Sequence, residues 1–174
     1  LSNPNGILFN PASIVSSLIS YIEKKTYSKE DLFYFNESWH SWDHHSRFSH
    51  PYCTDTLNAI NNAQLSAHEF LKSADWLIIT LGSAFGYEWT NRTGELHYPQ
   101  NRSSNIVANC HKVPADKFNK KLLSVEEILA GLDEMIYRLS FFNPGIKIIF
   151  TISPVRHIRE GLIENNRSKA VLVQ

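Results

Sequence analysis

Trp76-Leu-Ile-Ile-Thr-Leu81 runs without a break into Gly82-Ser-Ala-Phe-Gly86. A continuous apolar run closed by glycine predicts a strand buried on both faces, because a half-buried strand would alternate apolar and polar residues. Ile146-Lys-Ile-Ile-Phe-Thr-Ile152 repeats the pattern and ends at Ser153-Pro154. Between the two, Ser124-Val-Glu-Glu127 is a capping box, in which serine and glutamate each satisfy an unpaired N–H of a helix start. The helix it opens runs to about Ser140, with Ile128, Leu132, Ile136 and Leu139 on its buried face, and Asn143-Pro-Gly145 turns the chain into the second strand. Buried strands joined through amphipathic helices predict an α/β fold built on a parallel sheet.

The flanking segments fit the same class. Asn10-Pro11 is a helix start, an N-cap amide followed by a residue that needs no N–H donor. The helix after it, to about Lys25, places Ile14, Val15, Leu18, Ile19 and Ile22 on one face. Asp31–Phe35 reads as a short strand and the His/Trp-rich stretch from Trp39 to Pro51 as a loop. Thr54 to Ser73 forms a helix with Leu57, Ile60, Gln64, Ala67, Phe70 and Leu71 at helical spacing, and Thr90 to Lys121 is polar with little periodicity. The opening Leu1-Ser-Asn-Pro-Asn-Gly6 resembles the tail of a loop, and Ser168–Gln174 resembles a helix caught in mid-turn. The expectation is a single domain over residues 1–174, cut at both ends.

Composition removes several function classes. The 174 residues carry 17 basic and 17 acidic side chains, a formal charge of +0, whereas a general nucleic-acid binder needs an excess of Lys and Arg facing phosphates. No apolar run approaches the ~20 residues that span a bilayer, so no membrane partner is expected. At 43% hydrophobic residues the chain is too apolar for disorder. Two cysteines, Cys53 and Cys110, are too few for a disulfide scaffold and fit a reducing, cytoplasmic compartment. Nothing in the sequence sets the oligomeric state.

In an open α/β sheet, ligands bind beyond the carboxyl ends of the strands. That rule selects the Gly82–Tyr87 loop and the Ser153-Pro-Val-Arg-His157 loop, which bring glycine N–H donors, a hydroxyl, a guanidinium and an imidazole. The competing reading makes Gly82 and Gly86 plain turn residues and Arg156 and His157 caps on carbonyls. A third candidate is Trp39-His-Ser-Trp-Asp-His-His-Ser46. His40, Asp43, His44 and His45 are zinc-type ligands, but His44 and His45 are adjacent and cannot easily face one point. A substrate-positioning or structural loop is the stronger reading, and no cofactor or metal is expected. Cys110-His111 has the residue types of a thiol dyad but not its geometry, and a buried cysteine beside a polar histidine accounts for it.

Several blocks occur together: Phe9-Asn-Pro-Ala-Ser-Ile14, Trp39–Ser46, Ala74–Ala84, Asn109-Cys-His-Lys112, Thr151–His157 and Glu164-Asn-Asn-Arg-Ser-Lys-Ala170. In this order they resemble the GSCFA domain family of bacterial proteins, which is similar to the SGNH/GDSL hydrolases, and the resemblance covers nearly the whole chain. It implies a three-layer α/β/α, flavodoxin-like parallel sheet, incomplete in this sequence. It also implies a serine esterase acting on O-acyl esters, carbohydrate esters among them, through an acyl-enzyme. In the family the nucleophile belongs to a Gly-Ser-Cys-Phe-Ala motif expected upstream of Leu1, and the catalytic histidine to a late block expected downstream of Gln174. The fragment alone is expected to be inactive.

The first strand of such hydrolases is expected between the segments matching Gly6–Phe9 and Trp76–Leu81. Gly82-Ser-Ala84 matches a Gly-x-Asn motif of the wider superfamily, with Ala84 replacing the asparagine that helps hold the oxyanion. The Gly82–Ala84 backbone is then the expected oxyanion hole, with Gly82, Ser83 and His157 as catalytic candidates. Ser83, His40, His45 and Asn109 are the candidates for the missing side-chain donor. Asp43, Tyr87, His111 and Arg156 complete the substrate-binding candidates, Arg156 through its planar fork. Two other classes remain in view: a glycan or small-ligand binding module using Trp39, Trp42 and Phe48, and a metal hydrolase using the histidine cluster.

Overall fold

The computed structural model describes residues 1–90, 96–99, 102, 104–156 and 161–174. Asn10 caps α1 (Pro11–Ile22), its side-chain oxygen accepting the Ser13 N–H at 2.8 Å with Pro11 in the first turn. A tight hairpin follows, β1 (Leu32–Phe35) and β2 (Ser38–Ser41), paired antiparallel. Its turn residues Asn36 and Glu37 both have positive φ, as a two-residue hairpin of this twist requires. Next come α2 (Cys53–Ser73), β3 (Trp76–Leu81), β4 (Phe85–Trp89), β5 (Ile106–Val107) and β6 (Phe118–Leu122). The capping box at Ser124 and Glu127 starts α3 (Val125–Phe142), and β7 (Lys147–Ile152) and α4 (Leu162–Val173) complete the order.

The fold is α/β, with a parallel sheet flanked by helices. β3 and β7 pair in parallel from Trp76–Lys147 to Leu81–Ile152. Leu77, Ile79 and Leu81 point into a core shared with Val15, Leu18 and Tyr21 of α1, Ala67 and Leu71 of α2, and Met135 and Leu139 of α3. Each such side chain contributes roughly 1.5–3 kcal/mol on leaving water. Asn143 ties this layer together, its amide donating to the Leu71 and Ala74 carbonyls at 3.0 and 2.9 Å.

A second lobe holds the β5-β4-β6 antiparallel sheet, the β1–β2 hairpin and the His/Trp-rich stretch. Its centre is Trp42, stacked on Phe33 and surrounded by Trp89, Val107 and Val113.

Four sequence expectations change. β3 is a strand, but only one of its faces is buried: Ile79 is 3% exposed and Ile78 64%. The stretch from Trp39 to Pro51 supplies β2 and a short turn at Ser46–Phe48 rather than a continuous loop. The polar stretch from Thr90 to Lys121 contributes β5 and most of β6, whose pairing comes from β4 and not from any local period. On α3 the buried face uses Met135, with Ile136 turned outward.

Among the described residues the chain does not form one continuous sheet. Among those residues β3 has one strand neighbour, β7. Beside β3, where the resemblance expects a further strand, a groove of about 670 Å³ is lined by Ile7, Leu8 and Phe9 and by residues 76–80. Among the described residues no charged side chain lines it, and it reaches Gly82 and Ser153 at the carboxyl ends of β3 and β7.

Candidate functional site

The loop after β3 is held at very short range. The Gly82 and Ser83 N–H groups both donate to the Phe9 carbonyl at 2.9 Å, and the Ala84 N–H donates to Ser168 Oγ at 2.8 Å. A Cβ on Gly82 would lie 3.1 Å from the Phe9 carbonyl oxygen, so the close approach of two backbones explains that glycine. The amides expected to face an oxyanion thus have acceptors within the chain. Ser83 Oγ accepts the Phe85 N–H at 3.1 Å and lies 3.2 Å from Ser168 Oγ.

From α4, Lys169 Nζ donates to the Gly82 carbonyl at 2.7 Å and to the Ser153 carbonyl at 2.6 Å. Loss of water around it lowers its pKa. One ammonium therefore joins the first residue after β3 to the first residue after β7. In the sequence Ser168 and Lys169 stand in the Glu164–Ala170 block and at the start of the closing helical stretch. No local signal places them at the strand ends, because that depends on how α4 folds back. Arg156 is exposed on the loop after β7, and His157 lies outside the described residues.

The histidine-rich candidates gather elsewhere, in the second lobe. His40 Nδ1 lies 2.6 Å from Ser49 Oγ and its Nε2 2.9 Å from the Phe35 carbonyl, so both ring nitrogens are engaged. His44 is fully buried, with Nδ1 against Ser41 Oγ at 2.9 Å and Nε2 without a hydrogen-bond partner among the described residues. His111 bonds the Ser41 carbonyl through Nε2 at 2.8 Å, and the ring also faces the His44 backbone. Burial drives the pKa of both His44 and His111 down to about 4, which keeps them neutral at physiological pH. His40 moves down for the same reason.

The remaining candidates have local partners. His45 Nδ1 accepts the Arg47 N–H, and Asn109 Oδ1 accepts the His111 N–H at 2.8 Å. Asp43 pairs with buried Arg102 at 2.8 Å and accepts the Tyr27 hydroxyl proton at 3.4 Å. Tyr87 belongs to β4 and packs against the Trp42 cluster. Among the described residues, no three His, Cys, Asp or Glu side chains converge as a metal site would need. Trp42 is buried on Phe33 and offers no face to a sugar. Burial raises the Cys110 thiol to about 11, opposite to the shift that would make a nucleophile.

The structure thus brings Gly82, Ser83, Ser153, Ser168 and Lys169 together. It places His40, Asp43, His44 and His111 in a separate buried network. Among the described residues, no helix is long and apolar enough to cross a membrane. A model of the GSCFA family matches residues 1–174, the whole of this sequence. No curated protein and no solved structure matches the chain.

Proposed function

Because this chain belongs to the GSCFA family, we propose that it is the scaffold of a serine hydrolase cleaving O-acyl esters, including those of carbohydrates, at the carboxyl ends of β3 and β7. The observation that carries this reading is the convergence of Gly82 and Ser83 after β3, Ser153 after β7, and Ser168 and Lys169 of α4 at the carboxyl ends of two parallel strands. A neutral ester gains little from a strong field and needs a dry slot with a few placed donors. The serine of a Gly-Ser-Cys-Phe-Ala segment, upstream of this sequence, attacks the ester carbonyl. A histidine downstream takes its proton, the alcohol leaves, and water releases the acyl group. Arg156, exposed beside the site, binds hydroxyl-rich or anionic parts of the substrate. Since the Gly82, Ser83 and Ala84 amides are engaged, the oxyanion is held by side chains of this loop.

Hydrolysis of p-nitrophenyl acetate by the protein carrying its upstream serine tests the reading. Serine-to-alanine exchange abolishes turnover, and Arg156→Ala raises KM on a charged or sugar ester more than on the acetate. Unchanged turnover in the alanine variant removes the serine mechanism. Tight binding of an unmodified glycan with no hydrolysis of its acylated form would make the protein a binding module instead.

A further inference from the structure

The hydrolase reading requires a side-chain donor for the ester oxygen, and the hydrogen bonds around α4 identify one. His40 has both ring nitrogens engaged, whereas His45 Nδ1 and Asn109 Oδ1 accept the Arg47 and His111 N–H groups, contacts within their own segments and not with the loops after β3 and β7. Ser83 differs from these. Its oxygen accepts the Phe85 N–H, and the buried hydroxyl of Ser168 lies 3.2 Å away while itself accepting the Ala84 N–H. Each hydroxyl has one proton to give. With Ser168 donating to Ser83, the chain runs from the Ala84 N–H through the Ser168 hydroxyl to Ser83. The half-buried Ser83 then has two protons delivered to its oxygen, which leaves its own hydrogen for a further acceptor. Successive donors polarise one another in the same direction. Lys169 fixes the frame in which this happens, holding the Gly82 and Ser153 carbonyls 2.7 and 2.6 Å from one ammonium.

We infer that the Ser83 hydroxyl is the side-chain donor to the substrate's carbonyl oxygen, and that Ser168 and Lys169 are positioning residues that aim it. The inference rests on the hydrolase reading and assigns the role that Ala84 cannot fill. With Ser168 donating, both acceptor positions of the Ser83 oxygen are taken, which makes Ser83 a donor and not a nucleophile.

The test uses p-nitrophenyl acetate turnover with kcat and KM measured separately, and backbone amide exchange as a second readout. Ser83→Ala lowers kcat by about 100-fold with KM nearly unchanged, as expected for an interaction made only in the transition state. Ser83→Thr, which keeps the hydroxyl, recovers most of that loss. Lys169→Met lowers kcat by roughly 10-fold, and Lys169→Arg restores part of it. Ser168→Ala speeds exchange of the Ala84 amide at least ~10-fold and leaves the Ile79 amide unchanged, because only the former loses its acceptor. No turnover in the unsubstituted protein overturns the hydrolase reading and the donor role with it. Full turnover in Ser83→Ala overturns the donor role alone. Equal inactivity of Ser83→Ala and Ser83→Thr makes the residue structural, and an unchanged Ala84 amide in Ser168→Ala removes the positioning role.

Discussion

Trp42 lies on Phe33 with ring centroids 3.7 Å apart and planes 11° from parallel. The pair joins the Trp39–Ser46 stretch to β1 and closes the core of the second lobe, with Trp89 and Phe118 packed around Trp42. Trp42→Ala should cost about 3–5 kcal/mol, the usual penalty for emptying a fully packed aromatic site. Urea unfolding checks this, and a loss under about 1 kcal/mol would mean that the lobe collapses around the void.

His44 and His111 predict how stability depends on pH. Both have folded pKa values of about 4 against an ordinary 6.5. Above pH 6.5 neither folded nor unfolded chain binds the proton, so there is no penalty. Below 6.5 the unfolded chain takes up protons that the folded chain refuses, and stability falls with pH until about pH 4. One pKa unit is 1.36 kcal/mol, so each histidine removes at most about 3 kcal/mol across that window. Urea midpoints from pH 7 to 4 should fall steadily, and His44→Phe should flatten the slope. A flat profile in the parent protein would contradict the buried, neutral state of both rings.

Gly6 has φ +89°, and a Cβ there would lie 2.1 Å from the His45 Cβ. No side-chain rotation relieves that contact, because both atoms are fixed by backbone. Gly6→Ala is therefore expected to destabilise by more than about 2 kcal/mol, through both the strained φ and the clash. Thermal melting checks it, with Gly145→Ala as a comparison where the nearest atom is 3.8 Å away.

Ile78 and Ile79 are neighbours on β3 with opposite fates. Ile78→Lys should change stability by less than about 0.5 kcal/mol and lower the binding of a hydrophobic dye, since Trp76, Ile78 and Ile149 share an exposed face. Ile79→Lys buries an unpaired ammonium in the main core and should unfold the domain. Circular dichroism and dye fluorescence on the two variants decide the strand's orientation.

The α/β class, the starts of α1 and α3, and the strands β3 and β7 were legible because their signals are local. A capping box, an Asn-Pro pair or an apolar run acts within a few residues. The strand-end rule also reached the Gly82 loop from the sequence. The exposure of Ile78 was not legible, since an apolar run looks the same whether one face or both are covered. The role of His40, His44 and His111 was not legible either: the same residue types can make a metal site or a buried network, and only the packing of Phe33 and Trp42 decides which.

The sequence by itself determined the class of fold, the starts of α1 and α3, the strands β3 and β7, and membership of a family whose blocks stand in order along the chain. Only the tertiary structure decided what Ser168 and Lys169 do. Their targets, Ala84, Gly82 and Ser153, are distant in sequence or belong to another element, so no local spacing encodes the contact. It exists because α4 packs back over the ends of two parallel strands, where carbonyls and amides without strand partners need donors and acceptors.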